Sequence, residues 1–125
     1  MLSPNTKLFA LNSAALKRRS LRQAPSVPLR VFNRQDGSRL GPIDNLSGDG
    51  LMLSSANSLL PGDVYPMAMV LPVKIKGSKS VAFDGRCIWC EYSDDRSSYV
   101  AGFSFESLDR NNNEILQVLI RSYAV

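Results

Sequence analysis

The chain has 125 residues, 44% of them apolar and 21% charged, which fits one globular domain and excludes disordered and fibrous classes. Histidine is absent, so a Ser-His-Asp or Cys-His catalytic arrangement, a His-ligated zinc hydrolase and an imidazole proton shuttle are excluded. The net charge of +4 is uneven: residues 1–39 hold eight cations against Asp36 alone, residues 40–125 seven cations against ten anions, which points to a local anion site in the N-terminal third.

Residues 1–16 mix Ser, Asn, Ala and Leu without a sustained period and read as an N-terminal arm, with one apolar stripe through Leu8, Leu11 and Ala15. The uncharged run Leu8 to Leu16 is too short and too polar to span a membrane, and the arginines follow it instead of preceding it, unlike a secretory signal. A cytoplasmic protein is the expectation. Residues 17–125 form the domain proper.

From Pro25 to Phe105 the period is two. Val27, Leu29 and Val31 make the first alternating set, Met67, Met69, Leu71, Val73 and Ile75 a long one, Val81, Phe83, Cys87 and Trp89 another, and Tyr99, Ala101, Phe103 and Phe105 the last. Turn signals separate them at Asp36-Gly37, Gly48-Asp49-Gly50, Pro61-Gly62-Asp63, Gly77-Ser78 and Ser93-Asp94-Asp95. The pattern predicts an all-β fold, an antiparallel sheet closed into a small barrel or sandwich. Pro66 and Pro72 predict an edge, a bulge or an early strand end in the long run. The period then changes: Asn111 to Asn113 are the expected caps of an amphipathic helix of about two and a half to three turns, whose arc of Ile115, Leu116, Val118, Leu119, Ile120 and Tyr123 covers the barrel's open end or flank.

Cys87 and Cys90 form a C-x-x-C pair, but no further Cys or His exists to complete a zinc shell. Positions three apart in a period-two run point to opposite faces, so both are expected to be ordinary half-buried strand cysteines, with no metal bound. Asp84, Glu91, Asp94, Asp95, Glu106 and Asp109 fall mostly at expected turns or strand ends, and nothing singles out a catalytic pair.

Two constellations remain. Lys17-Arg18-Arg19-Ser20-Leu21-Arg22 stands just before the first strand, with Arg18 and Arg22 four apart. Asn45-Leu46-Ser47-Gly48-Asp49-Gly50 places Asn45 and Ser47 two apart on a strand, so their side chains project to the same face while Leu46 faces the core. Alone, the first is a basic tether and the second a polar strand end before a glycine turn. Together, R-x-x-x-R followed after about twenty residues by [D/N]-x-S-x-x-G in a small β-domain resembles the PilZ domain family. The resemblance covers roughly residues 17–123 and includes the Pro61-Gly62-Asp63 turn, the Gly102-Phe103-x-Phe105 segment and the closing helix.

That resemblance implies a six-stranded antiparallel split barrel with a C-terminal helix, and a receptor for cyclic di-GMP with no enzymatic residues. A ligand with two guanines and two phosphates calls for forked donors, cations and a flat cover, all of which arginine supplies. By the family's pattern Arg18 and Arg22 contact guanine and phosphate. Asn45 accepts guanine N–H groups, Ser47 offers its hydroxyl, and Gly50 leaves room for the rings. Gly102 is a further candidate. Many relatives carry Asp at the position of Asn45, and an uncharged amide is the weaker acceptor. Lys17 and Arg19 add charge beside the motif, and a basic residue there goes, in this family, with an intercalated ligand dimer. The implied partners are the messenger and a downstream protein that reads a conformational change; nucleic acid is not among them. The alternatives are a PilZ-like interaction module of pilus or motility systems that binds no nucleotide, and an oligonucleotide-binding barrel, for which Phe32 and Tyr65 are the candidate stacking aromatics.

Overall fold

Turn chemistry cuts the chain into short alternating runs, and in the computed structural model, which describes residues 29–123, those runs are six strands and one helix. The strands are β1 (Arg30–Asn33), β2 (Arg39–Leu46), β3 (Gly50–Ser55), β4 (Val64–Ile75), β5 (Ser78–Ser93) and β6 (Ser98–Ser107), followed by α1 (Arg110–Tyr123). All neighbours are antiparallel, and the order β1-β2-β3-β6-β5-β4 closes into a barrel, so no strand is left as a free sheet edge along its whole length. Val27 and the arm at residues 1–16 lie outside the described residues, as does the whole Lys17–Arg22 run.

The turns form where Gly, Asp and Asn predict them. At the tip of the β1–β2 hairpin Gly37 adopts φ 75° and donates its N–H to Asn33 O at 2.8 Å, and Asp36 accepts the Ser38 N–H at 2.9 Å. Lys76 and Gly77, both at positive φ, make the two-residue turn whose twist suits a tight antiparallel pair.

The interior is filled by alternate residues of every strand, among them Val31, Leu53, Met67, Met69, Val81, Phe83, Cys87, Ala101 and Phe103, all almost wholly buried. Phe103 meets Tyr65 edge-on at 5.9 Å, and Phe83 meets Phe105 edge-on at 5.1 Å. In β4 the alternation holds for Met67, Met69, Leu71 and Ile75 but fails at Val73, which is exposed. The β4–β5 register slips between Val70 and Ile75, around Pro72, as a residue without an N–H requires. Pro66 sits one residue beyond the last position paired with β1, where its missing donor is harmless.

Arg34, counted with the basic N-terminal third, serves the fold. Its Nε donates to Met67 O at 2.9 Å, and one Nη donates to Asp84 Oδ1 at 2.6 Å and Phe83 O at 3.3 Å, tying β1, β4 and β5 at one rim.

The helix is longer than its pattern predicts, and its cap differs. Asp109, not the asparagines, accepts the Asn112 N–H through Oδ1 at 2.8 Å, and its backbone oxygen accepts the first helical bond from Asn113. A carboxylate at that place also faces the positive end of the helix dipole. Asn112 is thereby free to turn its Oδ1 to the Ala82 N–H at 3.0 Å. Ile115, Leu116 and Leu119 are fully buried, with Val118 and Ile120 packed beside them, where α1 lies against β4 and β5. Among the described residues no helix is long and apolar enough to cross a membrane.

Candidate functional site: the outer wall of β2, β3, β6 and β5

The wall begins with a bulge. Ile43 pairs with Leu53 and Asn45 with Met52, so two residues of β2 span one step of β3. Ile43 and Leu46 stay inside, while Asp44 and Asn45 both turn outward. From Asn45 a single row runs across the sheet: Met52 opposite Asn45, Gly102 opposite Met52, and Trp89 opposite Gly102. At the usual strand spacing the row is about 14 Å long. Gly102 brings no side chain to it.

Asn45 is half-buried and donates from Nδ2 to the thioether sulfur of Met52 at 3.3 Å, a weak acceptor. Among the described residues its Oδ1 accepts nothing, which leaves a carbonyl acceptor unengaged at the wall. Asp44 beside it is engaged: Ser54 Oγ donates to its carboxylate at 2.8 Å, and Arg96, from the β5–β6 hairpin, reaches over to the same oxygen and to Ser54 Oγ at 3.1 Å. The next row, Ser54, Val100 and Glu91, continues the surface. Glu91 Oε1 is buried there without a hydrogen-bond partner among the described residues.

Ser47 does not continue the strand beside Asn45. It starts the turn that ends β2 and is 4% exposed, with its N–H bonded to Gly50 O at 2.9 Å and its Oγ accepting the Asp49 N–H at 3.2 Å. The Asp49 carbonyl takes the Phe105 N–H at 3.1 Å, which stitches the turn to β6. Gly50 is required by the fold itself, because a β-carbon there would stand 2.0 Å from Phe103 O. Gly48 is open on its far side except for Gln117 Nε2 of α1, at 3.7 Å from the same kind of added carbon.

Of the residues singled out in the sequence, the structure therefore gathers Asn45, Ser47, Gly50 and Gly102 on one wall and its rim. Arg18, Arg19, Arg22 and Lys17 lie outside the described residues. Two expectations are corrected at the C-x-x-C segment. The β5–β6 register slips between Cys87 and Trp89, so Cys87 faces Phe103 and Cys90 faces Ala101, both interior residues two apart on β6. The cysteines thus share the inner face, and Trp89, grouped by the period-two pattern on one face with Val81, Phe83 and Cys87, stands on the outer wall. Burial pushes the Cys87 thiol up to about 12. Tyr65 is not a surface stacking group, since its hydroxyl accepts the Leu60 N–H at 2.9 Å and its ring edges onto Phe103. Asp44, Met52, Trp89 and Arg96 were missed as wall residues. The signal for the first was present, because Ile-Asp-Asn-Leu reads in-out-out-in, which a regular strand cannot satisfy.

Of the acids noted earlier, Asp84 pairs with Arg34, Glu106 with Arg86, and Asp109 caps α1. Among the described residues no group of three Cys, Asp or Glu side chains could hold a metal ion.

The sequence profile described as "PilZ domain" matches residues 16–122. Among solved structures, the inhibitor of motility MotI/DgrA of Bacillus subtilis superposes with a TM-score of 0.65 at 14% identity, covering 84% of this chain and 50% of that one. The chain thus spans half the length of that protein. The PilZ domain of YcgR from Escherichia coli, solved with c-di-GMP, gives 0.61 at 16% identity over 86% of this chain and 91% of that domain. Escherichia coli YcgR in complex with c-di-GMP gives 0.62 at 20% identity over 85% and 45%. These likenesses concern the fold. No curated protein matches the chain.

Proposed function

This chain belongs to the PilZ domain family, and from that premise we propose that it is a receptor for cyclic di-GMP, a binding adaptor and not an enzyme. The observation that carries the reading is Asn45. A half-buried amide, held outward by a bulge, keeps its carbonyl oxygen unengaged among the described residues on the row with Met52, Gly102 and Trp89. A guanine edge carries two N–H donors in one plane, and Asn45 Oδ1 accepts from them. Arg18 and Arg22 bring forked donors from the lead-in segment, one able to bind guanine O6 and N7 and either able to clamp phosphate or stack on the purine. Lys17 and Arg19 add attraction for the phosphates. Ser47 and Gly50 act by fixing the turn beside Asn45. That Escherichia coli YcgR was solved with this messenger supports the ligand class.

The messenger joins the lead-in segment to the barrel wall, and the altered surface is what a downstream protein reads. Lys17 and Arg19 favour two stacked messengers per chain. Isothermal titration tests the whole reading. Saturable binding of cyclic di-GMP at about two ligands per chain is expected, with no comparable heat from GMP or single-stranded DNA. Arg18→Ala or Arg22→Ala should each remove it. No binding by the folded wild-type chain would overturn the receptor reading and favour a protein-interaction module.

A further inference from the structure

On the other side of the barrel, where β4, β1 and β2 meet, two arginines and four apolar residues line a groove of mixed polar and apolar character. The groove holds about 230 Å³ and is lined by Arg30, Phe32, Arg39, Val70, Leu71 and Pro72. Phe32 and Arg39 are cross-strand partners, and the Arg39 guanidinium lies 6.0 Å from the Phe32 ring centroid. Arg34, Arg86, Arg96, Lys76 and Arg110 all have carboxylate partners. Arg30 and Arg39 have none among the described residues. Val70 is 48% exposed and Val73, three residues further along β4, 53%. This strand overhangs its neighbour, since among the described residues β1 pairs only with Met67, Ala68 and Met69.

We infer that this groove docks an extended acidic segment of a partner protein, its carboxylates on Arg30 and Arg39 and an apolar side chain over Phe32, Val70 and Pro72. Charge decides the occupant. Residues 1–28 of this chain carry five cations and no acid, so its own lead-in is repelled from the groove. Single-stranded nucleic acid needs several open aromatic faces, whereas this groove has one ring, with an arginine already beside it. Pro72 offers no N–H to an added strand, so side chains and not a backbone ladder do the recognising. The site is separate from the Asn45 wall and does not depend on any reading of that wall.

The test is nuclear magnetic resonance on the full isotope-labelled chain, with a synthetic peptide of alternating glutamate and leucine as probe. Saturable shifts of the amides of Arg30, Phe32, Arg39 and Val70 are expected. The affinity should fall at least about fivefold on raising NaCl from about 0.05 M to about 0.5 M, as screening of exposed charge requires. Arg30→Gln with Arg39→Gln should give a similar loss. Val70→Ser, a change at an exposed site, should weaken binding without disturbing the remaining spectrum. The inference is overturned by equal shifts with a lysine–leucine peptide, by stronger shifts at the same amides with oligodeoxythymidine, by shifts centred on Lys79 or Arg121, or by movement of the groove amides with protein concentration alone.

Discussion

The backbone oxygen of Phe103 occupies the space that a β-carbon on Gly50 would need, at 2.0 Å. The last position of the N-x-S-x-x-G motif is therefore set by contact between β3 and β6 before any ligand is considered. Gly50→Ala has to push two paired backbones apart, and overpacking of this kind costs about 1–3 kcal/mol or more. Urea unfolding should show a loss at the upper end of that range. Gly48→Ala, with only the end of Gln117 nearby, should stay within about 0.5 kcal/mol of the parent.

Arg96 neutralises Asp44 next to Asn45. Arg96→Ala leaves that carboxylate facing the anionic messenger, and calorimetry should register cyclic di-GMP binding weakened by roughly threefold to tenfold, about 1 kcal/mol. Adding Asp44→Asn should restore most of the loss. A cycle without such coupling would count against ligand binding on this wall.

Arginine is required at positions 18 and 22 for its fork, not only for its charge. Arg18→Lys and Arg22→Lys keep the net charge, yet each should lose about tenfold or more in affinity, since a forked base contact contributes about 1–3 kcal/mol. Retained binding in both would reduce the motif to a simple electrostatic tether.

The Cys87 thiol is held protonated by burial, up to about 12 against an ordinary 9.0. In the unfolded chain it ionises first, so the unfolded state binds fewer protons between those values, and stability falls as pH rises from 9 toward 12. Thermal melts should show that alkaline decline, and Cys87→Ala should flatten it. At pH 8, iodoacetamide should label Cys87 only as fast as the chain opens.

On the acid side, the hydrogen bond from Arg86 holds the Glu106 carboxyl below its ordinary 4.5. That contribution is complete above the unfolded value and disappears as pH falls through the folded one. Carbon-detected titration should find Glu106 ionised at a pH where an ordinary glutamate is half protonated, and Arg86→Gln should move it back up.

Much of this architecture was legible in the sequence because period-two patterning and Gly-rich turns act locally: the strands, their turns and the closing helix follow from it, whereas the choice of a six-stranded barrel over a sandwich came from the family resemblance. What escaped lies at single inserted residues. The bulge at Asp44 brought a carboxylate next to Asn45, and the slip at Cys87–Trp89 exchanged the faces of Trp89 and Cys90. Strict alternation cannot foresee either, since one extra residue inverts everything downstream. Ser47 was misplaced for a related reason: the strand stops at Leu46, and its hydroxyl closes the turn. The cap at Asp109 lost out to three neighbouring asparagines that looked equally competent.

The bond from the Ala82 N–H to Asn112 Oδ1 forms where β6 has already left β5, whose pairing starts at Asp84 with Ser107. A side chain of the helix stands in for the missing strand, so the helix is a seventh stave of the barrel in all but backbone. A reporter or second module grafted at this end of the scaffold has to follow that helix, since cutting ahead of it would strip the Ala82 N–H of its substitute partner.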